Sequence, residues 1–391
     1  MASYKSNVVK MYFFEFFVAL HFFSGVLVPF FTEFGKLDVK YVLFLQSWMM
    51  FWVFVFEIPT GSIADYFGQK ASIVLGALSY TIASIIYSSY PNLVVFMIGE
   101  MFFALSVSLI SGAKEALIYD SLGKNEAESS SKRIFGRLRS VHLAGILVAA
   151  PVGSFLASII SIRSTMYLTA IPFFISFLIG LSFKQPSYKR PKKKAYLKTL
   201  TAGVKYFAKH RVLKILALDF AVIQSISFLI IWLYQPLLQR MNIDIVYFGI
   251  VHASLVVSQI LFMNSYGFLE KIFGSKLKVI FFSSLITGLM IILMGITNSI
   301  LVMVIAIIIG AGFGLGRKPL FTAYFNNHIK SSERATVLSA ISMFQRITLL
   351  ILNLVVGFLV DWSLTYTFVL LGSVAIIFAF VSKVEESHLI G

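Results

Sequence analysis

The sequence predicts an all-α integral membrane protein with twelve transmembrane helices in two pseudo-symmetric bundles of six. Three observations carry that prediction. Of the 391 residues, 58% are hydrophobic and only 13% charged, whereas a soluble domain carries about 25% charged residues. Apolar runs long enough to cross a bilayer recur along the whole chain. A basic stretch from Lys184 to Lys209 divides those runs into two sets of six.

A bilayer core takes about 20 residues of apolar helix. The first run, Met11 to Phe31, follows Lys5 and Lys10 and has no small-residue cleavage site after it, so it reads as a retained span and not a signal peptide. Spans 2 to 6 read as 41–64, 71–89, 93–119, 139–160 and 165–183. Spans 7 to 12 read as 212–235, 246–267, 278–297, 299–322, 335–360 and 364–382. Joints such as Tyr90-Pro91-Asn92 and Thr297-Asn298-Ser299 are short enough to require tight turns between antiparallel helices. The expected organisation is a six-helix bundle over 1–183, a basic cytoplasmic linker over 184–211 and a second six-helix bundle over 212–391.

Lys and Arg in short loops orient the spans. With both termini on one side, that side collects 25 of the 33 basic residues and the other only Lys36, Lys40, Arg163 and Arg240. Both termini are therefore expected in the cytoplasm of a cell inner membrane. The net charge of +16 is a topology signal held against anionic headgroups, and no nucleic-acid partner is expected. The absence of Cys excludes a disulfide framework, thiolate catalysis and thiolate metal sites.

The two halves repeat. After span 2 the chain reads Gly61-Ser-Ile-Ala-Asp65-Tyr-Phe-Gly68-Gln-Lys70, and after span 8 it reads Gly267-Phe-Leu-Glu270-Lys-Ile-Phe-Gly274-Ser-Lys276. In both, two glycines stand seven apart with a Lys two residues beyond the second. Repeated halves are how many secondary transporters are built. On these residues the chain resembles the major facilitator superfamily, whose signature between spans 2 and 3 is Gly-x-x-x-Asp-x-x-Gly-Arg-Lys. Gly61, Asp65, Gly68 and Lys70 match it, with Gln69 in the place of the usual Arg. In the second copy Glu270 stands one place early and Lys271 holds the Asp position. The resemblance implies a two-state latch on the cytoplasmic side, with Asp65 at the positive end of the span 11 dipole. Glu57-Ile-Pro-Thr-Gly61 and the run from Ser111 to Leu122 look like an efflux-like microbial branch. Drug–proton antiporters carry an Arg early in span 4, where this chain has Glu100. Their Gly-Pro motif on span 5 is here reduced to Gly145 and Ala150-Pro151-Val152-Gly153.

A charge near the bilayer centre costs about 2.5 kcal/mol or more on insertion scales, so each needs a reason. The acids within spans are Glu15, Glu57, Glu100, Glu115 and Asp219; the bases are Lys114, Arg317, Lys318 and Arg346; His21, His142 and His252 also fall within spans. In the family, spans 1, 4, 7 and 10 surround the central cavity. The resemblance therefore implies that Glu15, Glu100, Asp219 and the Arg317-Lys318 pair lie on cavity helices. Glu15, His21, Glu100, Asp219, Arg317, Lys318 and Arg346 are the candidates for proton coupling or substrate binding. Glu15 and Asp219 lead, because a buried carboxylate can load and release a proton. The competing reading is that the same acids only pair with Lys114, Arg317, Lys318 or Arg346 to hold helices together. Glu57, Gly61 and Asp65 share one face of span 2, and with Gly68, Lys70, Lys114, Glu115 and Asp120 they form the expected gate.

There is no Walker loop, His-Glu-x-x-His or nucleophile elbow. The expectation is a monomeric, non-enzymatic secondary carrier without cofactor or metal. Its partners would be a small amphiphilic substrate or metabolite, protons and membrane lipids, and its action alternating access, as a proton-coupled exporter or antiporter. Uptake by symport or facilitation, and a non-transporting receptor or lipid-handling role, are the competing readings.

Overall fold

The computed structural model describes residues 4–122, 124–186, 203, 205–330 and 333–389. Among the described residues there is helix and no strand. Eleven helices are long and apolar enough to cross a membrane, and span 1, in pieces, is the twelfth. The continuous spans are 2 (Val39–Phe67), 3 (Gln69–Ser89), 4 (Leu93–Leu122), 5 (Lys124–Ile159) and 6 (Ile162–Leu181). In the second half they are 7 (Arg211–Arg240), 8 (Phe248–Asn264), 9 (Lys276–Ile296), 11 (Arg334–Trp362) and 12 (Leu364–Val381). Most of the basic stretch between the halves, 187–202 and 204, falls outside the described residues.

Local chemistry sets the ends of these helices. Ser161, Ser275, Ser299 and Ser363 stand at N-caps, each accepting a bond from the backbone N–H three residues on. Gly68 and Gly274 have φ of +91° and +84°, the region where glycine bears no Cβ penalty. These are the second glycines of the repeated motif, so the sequence repeat marks the same backbone turn in both halves.

Packing divides the chain into two units. The first comprises Met1–Leu37, Trp48–Lys192 and Asp244–Ala253; the second comprises Asp38–Ser47, Lys193–Ile243 and Ser254–Gly391. Met11, Phe14, Ile73, Leu117, Ile118 and Phe183 form a buried core in the first unit. Leu213, Leu216, Phe321, Phe325, Val337 and Ile341 do so in the second, joined by Val384 and Leu389 of the segment after span 12. That segment is pinned by Glu386, whose carboxylate accepts the backbone N–H groups of Lys276 (3.1 Å) and Leu277 (2.8 Å) at the start of span 9. Spans 9 and 12 cross where Gly288 and Gly372 face each other, so close that a Cβ at either would press on the other's carbonyl.

Two spans depart from the sequence expectation. The run 11–31 is not one helix. Ser6–Val18 is helical, residues 19–26 are not, and the chain resumes as Leu27–Pro29 and a π-helical turn Phe30–Phe34. Irregular backbone at membrane depth persists only where protein satisfies its polar groups, and here it does. The N–H of Phe22 donates to Thr169 Oγ1 at 3.1 Å. Span 5 admits the irregular segment at two glycines: a Cβ at Gly145 would crowd Ala19, and one at Gly153 would collide with the Phe22 carbonyl. The residual Gly-Pro motif of span 5 is thus the seat of the broken span.

Span 10 is likewise two helices, Ile300–Leu315 and Lys318–Asn327, interrupted at Gly316 and Arg317. The freed Gly316 carbonyl accepts the Tyr266 hydroxyl at 2.5 Å. Tyr266 belongs to a short helix, Tyr266–Phe273, that follows span 8. Burial pushes its hydroxyl above the ordinary tyrosine range, which keeps it a donor. The motif also sits differently from expectation. Gly61 and Asp65 lie within the helix of span 2, and the joint to span 3 is Gly68 alone.

Candidate functional site

In the first unit, span 1 carries Glu15 in its last helical turns before the break. Glu15 is 4% exposed. Lys114 of span 4 donates to its Oε1 at 2.7 Å, and His142 of span 5 places Nδ1 3.3 Å from its Oε2. The ammonium and the imidazole are each about a quarter exposed. Tyr80 of span 3 and Arg139 of span 5 lie within electrostatic reach of the same carboxylate. A carboxylate is thus held between a fixed cation and the one side-chain type whose charge ordinarily changes near neutrality.

The second unit contains the counterpart. Asp219 of span 7 accepts Arg317 Nη2 at 2.5 Å through Oδ1 and the Ser382 hydroxyl at 2.7 Å through Oδ2. Arg317 also donates through Nη1 to Ser284 Oγ at 2.5 Å and lies over the Phe321 ring at 5.0 Å. Its backbone occupies the break in span 10. Glu15-Phe-Phe-Val and Asp219-Phe-Ala-Val hold matching places on the first span of each half, and Lys114 and Arg317 on the fourth. In each unit, then, an acid on the first span meets a base on the fourth. The two pairs differ in access. Asp219 and Arg317 are sealed at 2% and 1% exposure, while Lys114 remains 25% exposed.

The other sequence candidates scatter. His21 sits at the break in span 1, bonds to the Val18 carbonyl left free there, stacks on Phe23 (5.4 Å) and meets Phe173 edge-on. Glu100 is buried and hydrogen-bonded by Tyr87. Lys318 is exposed whereas its neighbour Arg317 is buried, and Arg346 is half-buried on span 11. Lys114, grouped on sequence with the gate, belongs instead with Glu15.

Of the gating residues, Gln69 at the place of the usual Arg donates to Asp120 Oδ2 at 2.9 Å. Gln185, beyond span 6, bonds Gln69 and accepts the backbone N–H of Lys70 at 2.9 Å. Glu57 and Lys70 are half-buried and Glu115 is exposed. The side chains at 61 and 65 are outside the described set. Sequence reasoning passed over Gln185, Ser284 and Ser382, which carry no mark in a one-dimensional reading, and gave His142 no role although its place inside a span marked it. Among the described residues no group of three or more His, Cys, Asp or Glu is placed to hold a metal.

Broken first and tenth spans, repeated half-motifs and a matched acid–base pair in each bundle define a polytopic carrier of the secondary-transporter class. The chain belongs to the Major Facilitator Superfamily, whose family model matches residues 11–351. The solved nucleoside transporter NupG is similar over 97% of this chain and 99% of its own, at 14% identity and a TM-score of 0.75. A POT family transporter in complex with 5-aminolevulinic acid is similar over 99% and 97%, at 15% identity and a TM-score of 0.79. Another, in complex with a thioalcohol-conjugated peptide, covers 96% and 95% at 14% identity and a TM-score of 0.78. At these identities the likeness is one of fold.

Proposed function

We propose that this protein is a proton-coupled carrier that exports a small amphiphilic molecule or metabolite by alternating access, with Glu15 as the coupling carboxylate. The observation that carries this reading is the asymmetry of the two acid–base pairs. Asp219 is bonded on both oxygens and closed off with Arg317, which suits a structural tie. Glu15 has the same kind of cation beside it, but its ammonium and imidazole neighbours stay accessible. Protonating Glu15 removes its charge and frees Lys114, so proton loading is tied to a change in the pair's geometry, and coupling requires such a tie. A free ammonium beside a neutral carboxyl is also suited to the anionic or hydrogen-bonding end of an amphiphile.

Structural neighbours that handle a nucleoside or a peptide support a small organic solute as cargo. The joint of Gly68, Gln69, Asp120 and Gln185 serves as the cytoplasmic latch, with Asp65 contributing to it. The bundles divide at the basic linker 184–211, and both termini face the cytoplasm of an inner membrane.

A thermal-shift screen of the purified protein at two pH values would identify ligands, which are then tested in proteoliposomes. Accumulation against the substrate gradient, driven by an imposed pH gradient, is expected for the parent. Its direction relative to the proton gradient separates export from uptake. Accumulation indifferent to the pH gradient would overturn proton coupling.

A further inference from the structure

Three of the six histidines lie in the first unit beside Glu15, and they are placed in succession. His142 on span 5 touches the Glu15 carboxylate at 3.3 Å. The His142 and His21 rings meet edge-on with centroids 6.4 Å apart. His21 in turn lies within electrostatic reach of His252, a buried residue of span 8. The backbone explains this last approach. Span 8 crosses the irregular part of span 1 at Gly249 and Gly25, whose atoms are in contact. From that crossing His21 is four residues back along span 1 and His252 three residues on along span 8; a first and an eighth span run in opposite directions, so both residues lie on the same side of it. An unwound segment at 19–26 is what brings a histidine on span 1 to face both span 5 and span 8.

We propose that Glu15, His142, His21 and His252 form one proton path through the first unit, leading from the coupling carboxylate past the break in span 1. The proposal rests on the proton-coupled reading given above. The groups facing this path are Lys114, Arg139 and Tyr80 around Glu15, and the Val18 carbonyl with the Phe23 and Phe173 rings around His21. The bond to Val18 holds one nitrogen of His21 as a donor and leaves the other as acceptor. A proton leaves Glu15 Oε2 for Nδ1 of His142, and the proton on Nε2 departs toward His21. The accepting nitrogen of His21 takes it, giving an imidazolium, and passes it to the neutral ring of His252. One proton moves with no further reactant: Glu15 is left ionised, His142 and His21 return to neutrality, and His252 ends as the imidazolium. Ring rotation or one bridging water spans the 6.4 Å step.

The test is nitrogen-15 NMR of the full chain labelled only at histidine, titrated in detergent from about pH 4 to about pH 9, either side of the ordinary histidine range. His21→Gln, His142→Gln and His252→Gln assign the signals, and glutamine at 21 retains a donor for Val18. Each variant is first shown by its unfolding midpoint to be folded, with asparagine as the replacement where glutamine fails. Glu15→Gln is expected to shift the nitrogen-15 signals of His142. His142→Gln should likewise shift those of His21, and His21→Gln those of His252, while the signals of the other three histidines stay in place. Signals at 142, 21 and 252 that do not respond to loss of the neighbour would overturn the path. The coupling reading fails separately, if Glu15→Gln still accumulates substrate against its gradient.

Discussion

A carboxylate between an ammonium and an imidazole, as at Glu15, has two partners of different kinds, one a fixed cation and the other an imidazole. Glu15→Gln keeps the size and most hydrogen bonds but cannot carry the proton. It is expected to abolish pH-driven accumulation in proteoliposomes while sparing downhill exchange; retained accumulation would make the carboxylate structural. The Asp219–Arg317 pair predicts the opposite behaviour. Removing one partner of a sealed pair leaves a buried charge, so Arg317→Leu is expected to lose about 3–5 kcal/mol of stability. The double replacement Asp219→Leu with Arg317→Leu should recover most of that, read from unfolding midpoints in detergent. A single variant as stable as the parent would remove the tie. Both acids were legible in the sequence, because a carboxylate inside an apolar run demands a partner. The partners themselves were not, since Glu15 and Lys114 are 99 residues apart and Asp219 and Arg317 98. Adjacency misled at 317 and 318, where one side chain is buried and the next is exposed.

Helices are where the sequence reading was both strongest and most incomplete. Hydropathy sees whether a run can cross a bilayer, and eleven of the twelve expected runs stand as helices long and apolar enough to do so. It does not see whether the backbone stays helical inside the run: residues 19–26 contain no proline, and what unwinds them is a seat on another span. That seat can be tested. Gly153→Val pushes side-chain atoms into the Phe22 carbonyl, and overpacking of this kind typically costs about 1–3 kcal/mol or more. A Cβ at Gly112 of span 4 meets nothing within 4 Å, so Gly112→Ala is expected to leave the unfolding midpoint unchanged or raise it. Equal effects at the two positions would remove the packing account of the break. The latch belongs to the same scale. Its glycine spacing was legible because Gly68 and Gly274 each need positive φ, while the contribution of Gln185 arrives from a different span. Asp65→Asn is expected to slow transport several-fold with ligand affinity nearly unchanged, because a latch biases conformations without touching substrate. A normal rate in proteoliposomes would end that assignment.

At the scale of the whole molecule, orientation follows from where charge can go. A basic loop is costly to move across a membrane and is attracted to the anionic cytoplasmic leaflet, so a 25-to-4 division of basic residues prescribes one orientation. Orientation depends on composition summed over segments and not on any single contact, so it is an expectation that a sequence yields without knowledge of packing. The chain has no native Cys, so a single introduced thiol reports its own side of the membrane. In intact cells a membrane-impermeant maleimide is expected to label Asn298→Cys, in the turn between spans 9 and 10, and to leave Ala195→Cys unlabelled until the membrane is opened. The reverse pattern would invert the orientation. The latch would then close the outer face, and a proton path starting at Glu15 would load from outside.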